Sequence, residues 1–129
     1  MAEFNNGSLK GGFGFQDQGT RKTTNPDGTV STVSYSALRT ANFDGNGAHT
    51  GKGFVSIDGQ EVGYSVTGTY KVNNDGTFSL DATQSYEDGR TSQPYKQFGV
   101  VIRGGNEILV IQTTDGKNQS GKYQSQTDY

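Results

Sequence analysis

The chain has no cysteine, no tryptophan, one histidine, one methionine and two prolines in 129 residues. Without cysteine there is no disulfide framework, no thiolate zinc site and no thiol nucleophile. A single histidine does not supply the His-rich, three-ligand set of a catalytic zinc site, so neither a metal nor another cofactor is expected. Charge is sparse as well, with 11 basic and 13 acidic residues and a net charge of −2. The basic residues are scattered. A nucleic acid or an anionic membrane surface needs them clustered to displace counterions, and neither partner is expected here. No apolar run approaches the length of a membrane-spanning helix. The opening "MAEFNNGSLK" lacks the basic-then-apolar order of a secretory leader. The expected location is the cytoplasm, or outside it after loss of a leader.

Hydrophobic residues make up 29 % of the chain. Disorder would pair that low fraction with a high net charge, which is missing. The length suits one domain over residues 1–129, with 1–8 as a flexible N-terminal segment.

What the chain does have is glycine, 20 residues of it, much of it after aspartate. Asp-Gly occurs at 27–28, 44–45, 58–59, 75–76, 88–89 and 115–116, and Gly104-Gly105 adds a seventh turn. Glycine takes positive φ without steric cost, so Asp-Gly between apolar runs signals a hairpin. Seven turns predict eight strands, at about 9–24, 29–43, 48–57, 61–72, 77–86, 91–103, 107–114 and 119–126. Val62, Tyr64, Val66, Tyr70 and Val72 share one face, with Ser65, Thr67, Thr69 and Lys71 on the other. Phe98, Val100 and Ile102 form another apolar row, and "EILVIQ" is apolar on both faces, which predicts a strand covered on both sides. Sequential antiparallel strands escape exposed edges by closing. The predicted fold is an all-β, eight-stranded antiparallel up-and-down barrel; a two-sheet sandwich is the alternative.

Four stretches carry a family resemblance. "SLKGGFGFQDQGT" looks like the Gly-aromatic first strand of small bacterial lipocalin-like, calycin-type barrels. "ANFDGNGAHTGKG" is similar to their "TFDGxGxxxG" element, and "VTGTYKVNNDGTFSL" to their "GTYxVNxDGTxTL" hairpin. "FGVVIRGGNEILVIQTTDGKNQSGKYQSQ" resembles their closing strands. Such barrels are shaped like lipocalins and allene-oxide-cyclase-type proteins and hold small hydrophobic molecules. Some are cofactor-free cyclases or isomerases; others are passive carriers.

The stretch "FDGNGAHTG" fails as a calcium loop. Asp44 and Asn46 fill the first two ligand positions, but Ala48 takes the third, His49 the glycine position and Val55 the twelfth. As a phosphate cradle it has Thr50 in place of the third glycine and no helix following. The sequons at Asn6 and Asn118 carry no weight without a eukaryotic secretory origin. No nucleophile elbow is present.

Polar residues on apolar faces are the informative ones. Val33, Tyr35, Ala37, Arg39, Ala41 and Phe43 share a face, which puts a guanidinium in the lumen unless a rim position or a bulge turns it outward. His49 shares a face with Gly51, Gly53, Val55 and Ile57, beside the turn at the barrel mouth. Hairpin pairing sets Asn42 opposite His49 and Arg39 near Lys52 or Gly53. The two side chains are then about 10 Å apart at ordinary strand rise, able to share a ligand without touching. The small glycines either leave room for a ligand or permit tight bends. Among the acids, Asp81 and Glu61 read as outward, and Glu107 as a partner for Arg39 or for solvent.

The expected catalytic residues are Arg39, His49 and Tyr64. The expected ligand-binding residues are Tyr35, Phe43, Val66, Tyr70, Tyr86, Tyr95, Phe13 and Phe15. Together with the resemblance they lead to a barrel that binds a largely apolar small molecule, as a cofactor-free cyclase or isomerase of a natural-product-like substrate, or alternatively as a non-catalytic carrier. An apolar outer row from Val100 to Ile111 would permit a homodimer.

Overall fold

The computed structural model describes residues 4–57, 59–87, 89, 94–112 and 117–126. It contains eight strands: β1 (Lys10–Thr24), β2 (Val30–Asp44), β3 (Ala48–Ile57), β4 (Gln60–Val72), β5 (Thr77–Tyr86), β6 (Tyr95–Ile102), β7 (Glu107–Gln112) and β8 (Lys117–Ser125). Each pairs with the next, and β8 pairs back onto β1, so the sheet closes as an up-and-down barrel and not as a sandwich. No helix among the described residues is long and apolar enough to cross a membrane.

The turns explain the strand count. Gly28, Gly45, Gly59, Gly76 and Gly89 have φ between 83° and 93°, and Gly104 and Gly105 are positive too. Asp27, Asp44 and Asp75 work through their carboxylates, not through a left-handed backbone. In Asn25–Thr29, Asp27 accepts hydrogen bonds from the Thr29 amide (2.9 Å) and hydroxyl (2.6 Å). Asp75 does the same for Thr77 at 3.0 and 2.7 Å, so the two Asn-x-Asp-Gly-Thr turns share one construction. Asp44 accepts from the amides of Asn46 and Ala48, which makes "FDGNG" a turn that consumes its own carboxylate. Asp58, Asp88 and the Asp115-Gly116 pair lie outside the described residues, as do positions 91–93, where β6 was expected to begin.

Alternation separates wall from core, as period-two strands require. Phe13, Phe15, Tyr35, Phe43, Val55, Tyr64, Val66, Tyr70, Phe78, Leu80, Tyr95, Ile108 and Tyr123 are buried, and Ser, Thr, Lys and Gln dominate the outer faces. Strand β7 departs from expectation. Ile108 and Val110 enter the core, but Leu109 and Ile111 are 47 % and 56 % exposed, so nothing in the described chain covers the outer face of "EILVIQ". Phe98 and Val100 are exposed as well and pair directly with Ile111 and Leu109. The β6–β7 apolar row therefore faces out.

One barrel end is closed by the chain ahead of β1. A short 3-10 turn, Asn6–Ser8, lies across it. The Val72 amide donates to Asn6 Oδ1 at 2.8 Å, the Tyr70 hydroxyl reaches the carbonyls of Asn6 and Leu9, and Leu9 is fully buried. Phe4 packs over Gly76. These contacts hold the described part of the segment expected to be flexible, residues 4–8, against the barrel.

Candidate functional site

Arg39 points into the lumen and is 4 % exposed; β2 pairs continuously with β1 and β3, with no bulge to turn it outward. It stands opposite Gly53, which in turn stands opposite Tyr64 on β4. A Cβ at Gly53 would meet the Leu38 carbonyl at 2.2 Å, and one at Gly51 would meet the Arg39 Nη1 at 2.6 Å. These inward glycines are therefore places of close backbone and side-chain approach, not spare volume.

The arginine side chain runs over Gly51 toward the closed end. There Nη1 donates to His49 Nε2 at 3.0 Å. The expectation that the two residues stay apart is overturned. It used backbone offset alone, and the long arginine stem closes the gap where glycine offers no obstacle. His49 is 1 % exposed, beneath the terminal segment and not at an open mouth. Nη2 donates to the Tyr123 hydroxyl at 2.9 Å, which itself donates to Gln97 Oε1 at 2.6 Å. Phe15 and Tyr123 lie under the guanidinium, 4.6 and 5.4 Å from it, within cation–π range.

Electrostatics follow from this packing. Burial, and then the neighbouring Arg39 charge, push the His49 pKa down to about 3. His49 is therefore neutral at pH 7 and accepts at Nε2, which assigns the proton to Nδ1. Burial opposes the charge on Arg39, but neighbouring groups, the Asp17 carboxylate among them, outweigh it and raise its pKa. Burial raises the Tyr64 pKa against the pull of Arg39, and the Tyr35, Tyr95 and Tyr123 hydroxyls are raised by burial too. All four remain protonated donors. The Tyr64 hydroxyl and Arg39 Nε are buried and find no hydrogen-bond partner among the described residues.

The predicted residues divide between the two barrel ends. Phe13, Phe43 and Tyr70 belong to the closed end. There the Phe43 ring lies 4.6–6.0 Å from the rings of Phe13, His49, Tyr70, Phe78 and Tyr123, so aromatic packing fills that half. Tyr70 spends its hydroxyl on the turn, accepting from the Gly45 amide. Val66 is buried beside Gly51. Tyr35, Tyr64, Tyr86 and Tyr95 lie toward the opposite end, where Tyr86 donates to Gln84 at 2.6 Å. A groove of about 540 Å³ lies on the outer wall over this half, lined by the outward-facing Thr40, Lys52 and Phe54 together with Gly53, Tyr64 and Tyr86. A larger one of about 740 Å³ runs over the outer apolar row of β6 and β7.

Sequence reasoning missed Asp17, Gln84, Gln97, Gln119 and Tyr123, all buried. Asp17 was legible, since it alternates with Phe13 and Phe15 on one face. Of the two readings of Glu107, that of a partner for Arg39 is not met. Its carboxylate accepts from Arg103 at 2.8 Å and pairs with Lys122 at 3.7 Å on the outer face. Asp81 is outward, paired with Lys96.

Set against family models, curated proteins and solved structures, the chain matches none of them.

Proposed function

We propose that the barrel binds a largely apolar small molecule in the half of its lumen bounded by Tyr35, Tyr64, Tyr86 and Tyr95, and acts on it as a cofactor-free isomerase or cyclase. The observation that carries this reading is the buried Arg39 guanidinium, oriented by His49 and Tyr123, with Nε and the nearby Tyr64 hydroxyl left as unspent donors. Preorganised donors in a water-poor, aromatic site stabilise charge that develops on a substrate oxygen, and they need no nucleophile. The resemblance to small bacterial lipocalin-like and allene-oxide-cyclase-type barrels supports the same reading. In it Arg39 and Tyr64 polarise the substrate, while His49 is a positioning residue, because a neutral imidazole with Nε2 engaged is a poor proton shuttle. That feature also favours the second reading, a carrier that holds its ligand unchanged.

Native mass spectrometry of protein purified from its own source tests the binding. A retained small molecule is expected, and a bare chain mass defeats the reading. Returning the released compound to fresh protein in deuterated water separates the two roles. Deuterium incorporation or a changed carbon skeleton marks an enzyme; unaltered compound marks a carrier.

A further inference from the structure

We infer that the ligand carries an anionic oxygen head, a carboxylate or an enolate, which seats on the free Nε–H edge of Arg39 beside the Tyr64 hydroxyl. This rests on the small-molecule reading above and names the head group it requires.

The argument is a count of donors. A guanidinium has five N–H groups in a planar fork. Nη1 spends its pair on His49 Nε2 and, at 3.4 Å, on the Thr40 carbonyl; Nη2 spends one on Tyr123. The Nε–H and the second Nη2 hydrogen remain, and Nε is buried. The buried Asp17 carboxylate acts on Arg39 through its charge. The Phe15 and Tyr123 rings, stacked on each other with centroids 4.2 Å apart, lie on one side of the guanidinium. Neighbouring groups offset the burial of the charge itself, but the Nε–H stays unspent, and an unspent buried donor is costly. A carboxylate matches the fork and converts both open donors into charge-assisted bonds.

Tyr64 supplies the second donor. It is 4 % exposed, protonated, without a hydrogen-bond partner among the described residues, and separated from Arg39 only by Gly53 in the β2–β3–β4 row. It also lines the wall groove of about 540 Å³.

Matched ligand pairs test this on the full chain: 3-phenylpropionate against 3-phenylpropanamide, and decanoate against decanol, by calorimetry and thermal shift at pH 7. The acids are expected to bind and the neutral analogues to bind about tenfold more weakly or worse. Tyr64→Phe is expected to leave the unliganded melting temperature unchanged, because its hydroxyl bonds to none of the described residues, and to weaken the acids about tenfold while sparing the neutral compounds. Arg39→Gln is expected to abolish the preference for acids. Equal binding of acid and neutral partners overturns the anionic head and leaves the small-molecule reading standing. Acid binding that survives both substitutions overturns it as well, since the acid then binds elsewhere. If no compound binds, both readings fail, and ordered water is what satisfies the two donors.

Discussion

The Arg39 guanidinium and the His49 imidazole meet at 3.0 Å although Arg39 pairs across the hairpin with Gly53 and His49 with Phe43. Four residues of strand separate the two positions, and the arginine stem covers that distance over the bare backbone of Gly51. This contact joins the charged centre of the lumen to the aromatic packing of the closed end.

It makes stability depend on pH in a defined window. The folded-state pKa of His49 is depressed from 6.5 to about 3. Its contribution is therefore complete above pH 6.5 and is lost as pH falls toward 3, because the unfolded chain takes up a proton that the folded chain refuses. The loss over that window is on the order of 3–5 kcal/mol. Melting temperatures measured from pH 7.5 to 4 should fall, and His49→Gln should flatten the fall. The His49 ring protons should not titrate between pH 8 and 5 by NMR; an ordinary midpoint there contradicts the buried contact.

Gly51→Ala tests the close approach. The new methyl would meet the Thr40 carbonyl at 2.3 Å and Arg39 Nη1 at 2.6 Å. A destabilisation of about 1–3 kcal/mol is expected by denaturant titration. The outward-facing Ser34→Ala should stay within about 0.5 kcal/mol of the parent.

The terminal segment should contribute measurably to the barrel. Asn6→Ala leaves the Val72 amide without its acceptor at the closed end. A loss of about 1–3 kcal/mol is expected, with faster hydrogen exchange at Val72. Unchanged exchange there would show that the segment does not close this end.

The direction of β7 can be checked by paired substitutions. Ile108→Ala removes a fully buried side chain and should cost about 2–5 kcal/mol, whereas the half-exposed Ile111→Ala should cost far less. A reversed order of effects would mean that the strand is out of register by one residue.

Much of the architecture was readable residue by residue because its causes are local. The glycine of each described Asp-Gly turn sits at positive φ, and the period-two patterns of β2, β3 and β4 told inside from outside, including the inward placement of Arg39 and His49. Asp17 obeyed the same rule and needed only that β1 be read like β2. Three features were not local. "EILVIQ" is apolar at both parities, so only closure of the barrel decides that Ile108 packs inside and Leu109 faces out. Glu107 finds Arg103 and Lys122 because strand pairing, not sequence distance, brings them beside it. The Arg39–His49–Tyr123–Gln97 chain links β2, β3, β8 and β6, and no pattern within one strand encodes it. Turn chemistry and alternation act over two to five residues, and they set how many strands form and which faces they bury. The reach of a side chain across a closed lumen depends on which strands meet there, and that exists only once the barrel has formed.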